Sequence, residues 1–120
     1  MTEITKSKTF DLEDRTAKFT GDVIAFINVC PKTAVNLELT KQLVRSAGSV
    51  GANYIEANEA LSKKDFGMRV KICRKEAKES RYWLRLIEVS GDGLEKRRQE
   101  LINESTELLK IFSSIVEKSK

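Results

Sequence analysis

Five basic residues, Lys71, Arg74, Lys78, Arg81 and Arg85, recur at intervals of three and four along one stretch of this sequence. On an α-helix that spacing gathers them into one stripe, because each residue turns the chain by about 100°. A row of Lys and Arg can track the phosphates of RNA or DNA. Each phosphate it neutralises releases condensed counterions, so binding is salt-sensitive and nearly blind to base sequence. Residues 62–90 hold nine basic and four acidic side chains, a net +5, whereas the whole chain is +4; everything outside them nets −1. The basic excess therefore sits on one helix. The plain alternative is a solvated helix face, but like charges three and four residues apart repel, which argues for a purpose. Tyr82, next to the stripe, is either a base-stacking residue or ordinary packing.

A second constellation mixes charge with apolar and small residues. Ile72, Glu76, Glu79, Trp83 and Leu86 share a different face of the same helix, and the preceding helix carries a track of Gln42, Arg45, Ser49, Ala52, Glu56 and Ala60, with Asn53 beside it. We expect Arg45, Ser49, Asn53, Glu56, Glu76, Glu79 and Trp83 to form an inter-helix polar network or part of an oligomer surface, Arg45 and Glu56 pairing with Glu76 and Arg74. Such networks more often fix register than add stability. The same face, with its Trp, would also suit an adaptor that binds a polymerase-type protein. Glu56, Glu76 and Glu79 offer oxygen ligands that magnesium would accept, but neighbouring Arg residues explain these carboxylates more simply.

The chain has no His, which removes the usual proton shuttle and the Ser-His and Cys-His nucleophile pairs. Catalysis, a cofactor and a metal centre are therefore not expected. "RSAGSVGAN", residues 45–53, holds two glycines that a helix tolerates at about 1 kcal/mol each against Ala. No strand precedes it and no Gly-Lys-Ser/Thr follows, so it is not a phosphate-binding loop. Its small residues make a smooth surface for the close approach of another helix, and with the mixed face they point to self-association.

The elements that must position these residues follow from a 3.6-residue period that appears four times, with no sustained alternation of period two. The first helix, with Asp11 as its expected cap, carries Leu12, Phe19, Val23, Phe26, Ile27 and Cys30 inward and stops at Pro31. The second is capped by Thr33 or Asn36 and runs to about Leu61, with Leu39, Leu43, Ser46, Val50, Tyr54, Ala57 and Leu61 on its core face. Ser62 and Asp65 open the third, which points Phe66, Val70, Cys73, Ala77, Leu84 and Ile87 inward until "SGDG" at 90–93. The fourth shows Leu94, Leu101, Ser105, Leu108, Phe112 and Ile115. Four similar helices with short connections predict an all-α fold, an antiparallel up-down-up-down four-helix bundle.

The length of 120 residues, with 40% hydrophobic and 33% charged side chains, suits a single domain with a real core. Residues 1–10 read as a disordered or frayed tail and 11–118 as the bundle. The start lacks the apolar segment of a signal peptide, no long uncharged apolar run exists, and the two cysteines, Cys30 and Cys73, lie in apolar helical settings. We expect a reduced, cytoplasmic protein with no membrane association.

Residues 31–87 carry "PKT", "QLVRSAGSVGAN", "EA", "KKDF" and "CRKEAKES" followed by "YWL". In that combination the chain resembles the bacterial four-helix bundle proteins of the 23S rRNA intervening-sequence family. It is similar, more distantly, to the accessory variability determinant of diversity-generating retroelements, a basic pentameric bundle that works with a reverse transcriptase and nucleic acid. The resemblance implies a ring-like homopentamer with RNA or DNA, or a polymerase-type protein, as further partner. It brings no catalytic residues with it.

Overall fold

The computed structural model describes the backbone of residues 2–120 and the side chains from Leu12 onward. Four helices follow one another, α1 (Thr2–Val29), α2 (Ala34–Asn58), α3 (Lys63–Leu86) and α4 (Asp92–Lys118), and no strand occurs among the described residues. Each helix lies beside its neighbours in sequence, α4 closes back on α1, and α3 is held from both sides by α2 and α4. The up-down-up-down bundle is therefore as expected. None of the described helices is long and apolar enough to cross a membrane.

The helix ends show which local chemistry decided each boundary. Thr33, not Asn36, caps α2: its hydroxyl accepts the Asn36 N–H at 3.1 Å. Asn36 is freed for a longer-range task, and its buried side chain donates to the carbonyls of Pro31 and Glu88 and accepts the Glu88 N–H, each at 2.9 Å. One amide thus ties the start of α2 to the end of α3. Ser62 caps α3 as expected, accepting the Asp65 N–H at 3.0 Å.

Three boundaries differ from the expectation. Helix α1 runs from Thr2, so Asp11 lies inside it rather than at its start; the side chains of residues 1–11, and Met1 altogether, are outside the described residues. Helix α2 ends at Asn58, and Leu61, expected on the core face, is 97% exposed in the connection to α3. Helix α3 ends at Leu86, before the glycines. Ile87 turns to extended backbone while its side chain stays buried, and Arg98 of α4 takes its carbonyl at 2.7 Å. Those two anchors, with Asn36 on Glu88, close the helix before "SGDG" is reached. Gly91 then adopts φ +89° just ahead of α4, a conformation open to glycine and strained for other residues.

The core stacks Phe19, Val23 and Phe26 of α1 against Leu43, Ala47 and Val50 of α2, Val70, Cys73, Ala77 and Leu84 of α3, and Leu101, Leu108 and Phe112 of α4. Val116 rather than Ile115 completes the last turn. Truncating one of the buried phenylalanines to Ala would cost about 3–5 kcal/mol. The small residues of "RSAGSVGAN" are used partly within the chain. The Thr20 hydroxyl of α1 donates to the Ala47 carbonyl at 2.9 Å, and Gly51 lies where an added Cβ would meet Thr16 Oγ1 at 3.0 Å. Gly48, by contrast, faces open space.

Candidate nucleic-acid interface

On α3 the stripe residues keep the positions that their spacing dictates. Lys71, Lys78 and Arg85 are exposed, whereas Arg74 and Arg81 are half-buried toward α4. Between the two helices runs a shallow groove of about 540 Å³ lined by Lys71, Arg74, Lys75, Lys78 and Arg81, with Leu109 and Ser113 of α4 on its other wall. Four of the five stripe residues thus meet in one concave surface, joined by Lys75, which the sequence reading left out of the stripe. Arg85 lies beyond the groove's end. Arg81 gives one guanidinium N–H to Thr106 of α4 at 3.3 Å, which holds its side chain along the groove. Among the described residues, Lys71, Arg74, Lys78 and Arg85 have no carboxylate within ion-pair distance.

The contrast with the neighbouring groove on the other side of α4 shows that this is not a general feature of the bundle. Between α1 and α4 a cavity of about 530 Å³ is also lined by charges, Arg15, Lys18, Asp22, Arg97, Glu100 and Glu104. There the signs are balanced: Arg15 donates to both oxygens of Glu104 at 2.7 and 2.9 Å, and Lys18 pairs with Asp22 at 2.8 Å. The α3–α4 groove has only cations on its polar wall, and low-dielectric helix packing behind a single sign of charge concentrates the field in front of it.

The expected polar network exists in part. Arg45 of α2 reaches across to α3, its Nη2 donating to Glu79 at 3.0 Å and its Nη1 lying 3.6 Å from Glu76. Glu76 is only 6% exposed, with Lys75 Nζ 3.9 Å from its other oxygen. Asn53 adds a second bridge further along the seam, its Oδ1 accepting from Arg69 at 3.0 Å while its Nδ2 donates to the Ser49 carbonyl. Ser49 takes part through that carbonyl. Glu56 does not join Arg74. It lines a separate groove at the α2–α3 turn with Glu59, Asp65, Met68 and Arg69. Trp83 packs its ring against the core with its indole N–H buried and, among the described residues, without an acceptor. Among the described residues no group of three or more Asp, Glu, Cys or His side chains is arranged to hold a metal ion, so Glu56, Glu76 and Glu79 do not form one.

Sequence reasoning missed the innermost contact of this seam. Ser46 and Ser80 are both fully buried, their hydroxyl oxygens 2.9 Å apart. Ser80 falls seven residues after Cys73 and seven before Ile87, both of them inward-facing, so its place in the core was available from the spacing. Both thiols are buried and unpaired with one another. Burial raises the pKa of both, and that of Cys73 is pushed up to about 12.

A family model described as 23S rRNA-intervening sequence protein matches residues 8–114. Among solved structures, the crystal structure of a protein of unknown function from the S23 ribosomal protein family of Bacteroides thetaiotaomicron is 32% identical, with a TM-score of 0.72 over 87% of this chain and 96% of that one. No curated protein matches. A match that takes in all four helices, together with the likeness of fold and sequence to that bundle, leads to one conclusion: the chain belongs to the 23S rRNA-intervening sequence protein family.

Proposed function

We infer that this protein is a non-enzymatic nucleic-acid-binding or scaffold protein that contacts RNA or DNA phosphates through the α3–α4 groove. The single observation that carries this reading is the groove itself, where Lys71, Arg74, Lys75, Lys78 and Arg81 converge with no acidic residue on its walls. The family name refers to an intervening sequence of 23S rRNA and is not itself a biochemical activity, so the reading rests on the groove. Binding of this kind holds backbone rather than reads bases, so affinity should fall steeply with salt.

The protein is expected to act in the cytoplasm of a bacterium as a ring-like homo-oligomer, a pentamer by the family resemblance. Self-association is supported by the outer side of α2. Leu37, Val44 and Ile55, spaced seven and eleven residues apart, fall within about 20° of one line along that helix. They are 48%, 40% and 50% exposed. Five copies would bring five basic grooves to one assembly. Val44→Glu, on an already exposed position, should leave the fold intact and lower the native mass.

The test is native mass spectrometry of the purified protein with and without a short RNA and a short DNA, at low and moderate salt. An oligomer that takes up nucleic acid at low salt and releases it as salt rises supports the reading. An oligomer that stays bare at low salt overturns it. It would return the question to the adaptor for a polymerase-type protein, which has less to stand on because Glu76 is buried and Glu79 is engaged by Arg45.

A further inference from the structure

The outward side of α3 carries one residue that phosphate binding alone does not require. Tyr82 is 54% exposed. At about 100° per residue it falls within about 40° of Lys71, Lys75 and Lys78, so it belongs to the basic face and not to the Trp83 side. Trp83, anchored against the core, holds the Tyr82 ring near-perpendicular to its own, centroids 5.0 Å apart at 66°. An aromatic ring braced in this way and flanked on its helix by Lys78 and Arg85 resembles the arrangement that single-strand binders use, where a backbone tracks a positive groove and bases stack on aromatic faces.

The shape of the groove favours one strand over two. The hollow is shallow, about 540 Å³, with the basic side chains of α3 on one wall and Leu109 and Ser113 of α4 on the other, a size that suits a single phosphodiester chain. A duplex is a convex cylinder; it would meet the rim at Lys71, Lys78 and Arg85 but not the half-buried Arg74 and Arg81. Nor could a paired, stacked base reach the Tyr82 ring without leaving its stack.

We propose that this face takes a single-stranded polynucleotide in preference to duplex, with the backbone along Arg74, Lys78 and Arg81 in the α3–α4 groove and a base stacked on Tyr82. The proposal rests on the nucleic-acid reading above and names the form of its ligand. The phosphate chain is common to RNA and DNA, and the test separates the two.

Fluorescence anisotropy at fixed low salt would compare a labelled 12-nucleotide oligo-uridine, the matching oligo-thymidine, an abasic chain of the same length and a mixed-sequence duplex, against the wild-type protein, Tyr82→Ala and Tyr82→Phe. The wild type should bind one or both single strands at least about tenfold more tightly than the duplex, and whichever is tighter names RNA or DNA. Loss of one stacked base corresponds to about 5- to 150-fold in affinity. Tyr82→Ala should weaken oligo-uridine and oligo-thymidine binding within that range and leave the abasic chain unchanged, while Tyr82→Phe should match the wild type. Equal binding of duplex and single strand, with Tyr82→Ala indistinguishable from the wild type, would overturn this proposal and leave the phosphate reading standing. Absence of binding to all four probes would remove both.

Discussion

Ser46 and Ser80 meet across the α2–α3 seam with their hydroxyl oxygens 2.9 Å apart and neither side chain reached by solvent. Each hydroxyl has one proton, which limits the pattern. Ser80 lies 2.9 Å from the Glu76 carbonyl and Ser46 lies 3.2 Å from the Leu43 carbonyl, so the shorter chain runs from Ser46 to Ser80 to Glu76. Removing one partner leaves a buried polar group less well bonded, whereas removing both leaves two apolar groups of similar shape. Ser46→Ala and Ser80→Ala should each cost about 1 kcal/mol, and the double variant clearly less than their sum. Urea unfolding of the four proteins reads the coupling directly.

Arg45 stands at the solvent end of the same seam and faces a carboxylate that water barely reaches. Its partner Glu76 has one oxygen that accepts no hydrogen bond, 3.6 Å from the guanidinium. Loss of a cation beside a buried charge costs more than the pair contributes, since the remaining charge is still desolvated. Arg45 is half exposed, which reduces the effect, and Lys75 stays near the other oxygen. Arg45→Met should destabilise the fold by about 1–3 kcal/mol in chemical denaturation. Adding Glu76→Gln to it should recover part of that loss. No recovery would mean that Arg45 acts mainly through Glu79, which it contacts at 3.0 Å.

Cys73 links burial to alkaline stability. Burial raises its pKa from 9.0 to about 12, so above pH 9.0 the unfolded chain releases this proton while the folded protein keeps it. Stability from this thiol is complete below 9.0 and is lost as the pH climbs toward 12. The loss approaches about 1.4 kcal/mol per pH unit where the unfolded thiol is fully ionised. Replacement by Ala should lower stability at neutral pH through the cavity it leaves, yet flatten the fall above pH 9.0, measured as denaturation midpoints across that range. A disulfide-exchange reagent should label Cys73 only as fast as the protein opens.

The bundle and most of its core were legible because helix periodicity reports burial directly: of the six positions expected inward on α3, Val70, Cys73, Ala77, Leu84 and Ile87 are buried and Phe66 is partly buried against them. Where the pattern misled, a longer-range contact had decided the outcome. Leu61 has the right spacing for the core but lies past the end of α2, and Ile87 ends α3 because Asn36 and Arg98 claim the backbone around it. The basic stripe could be read from its spacing. That four of its members share a groove with Lys75 could not, since the groove depends on how α4 lies against α3. Arg45 with Glu76 was within reach of charge and face alone; Glu56 with Arg74 failed because Glu56 lies toward the α2–α3 turn, in the groove with Asp65 and Arg69.

Gly48 and Gly51, three residues apart on α2, should respond differently to the same substitution. Both lie inside a helix, where Ala is favoured over Gly by about 1 kcal/mol when the added methyl meets nothing. At Gly48 there is nothing within 4 Å, so Gly48→Ala should stabilise the chain by up to about 1 kcal/mol. At Gly51 the methyl would come 3.0 Å from Thr16 Oγ1 and 3.3 Å from Thr16 Cβ, and Thr16 is itself 1% exposed with little room to yield. Overpacking of that kind costs about 1–3 kcal/mol, enough to offset the propensity gain. Gly51→Ala should therefore be neutral to destabilising, and Thr16→Ala in the same chain should relieve part of the crowding by removing the hydroxyl. Thermal unfolding should move upward for Gly48→Ala and stay level or move downward for Gly51→Ala. A stabilised Gly51→Ala would mean that α1 can move away from α2 at little cost, and that the contact of Thr16 and Thr20 with α2 does not set the approach of the two helices.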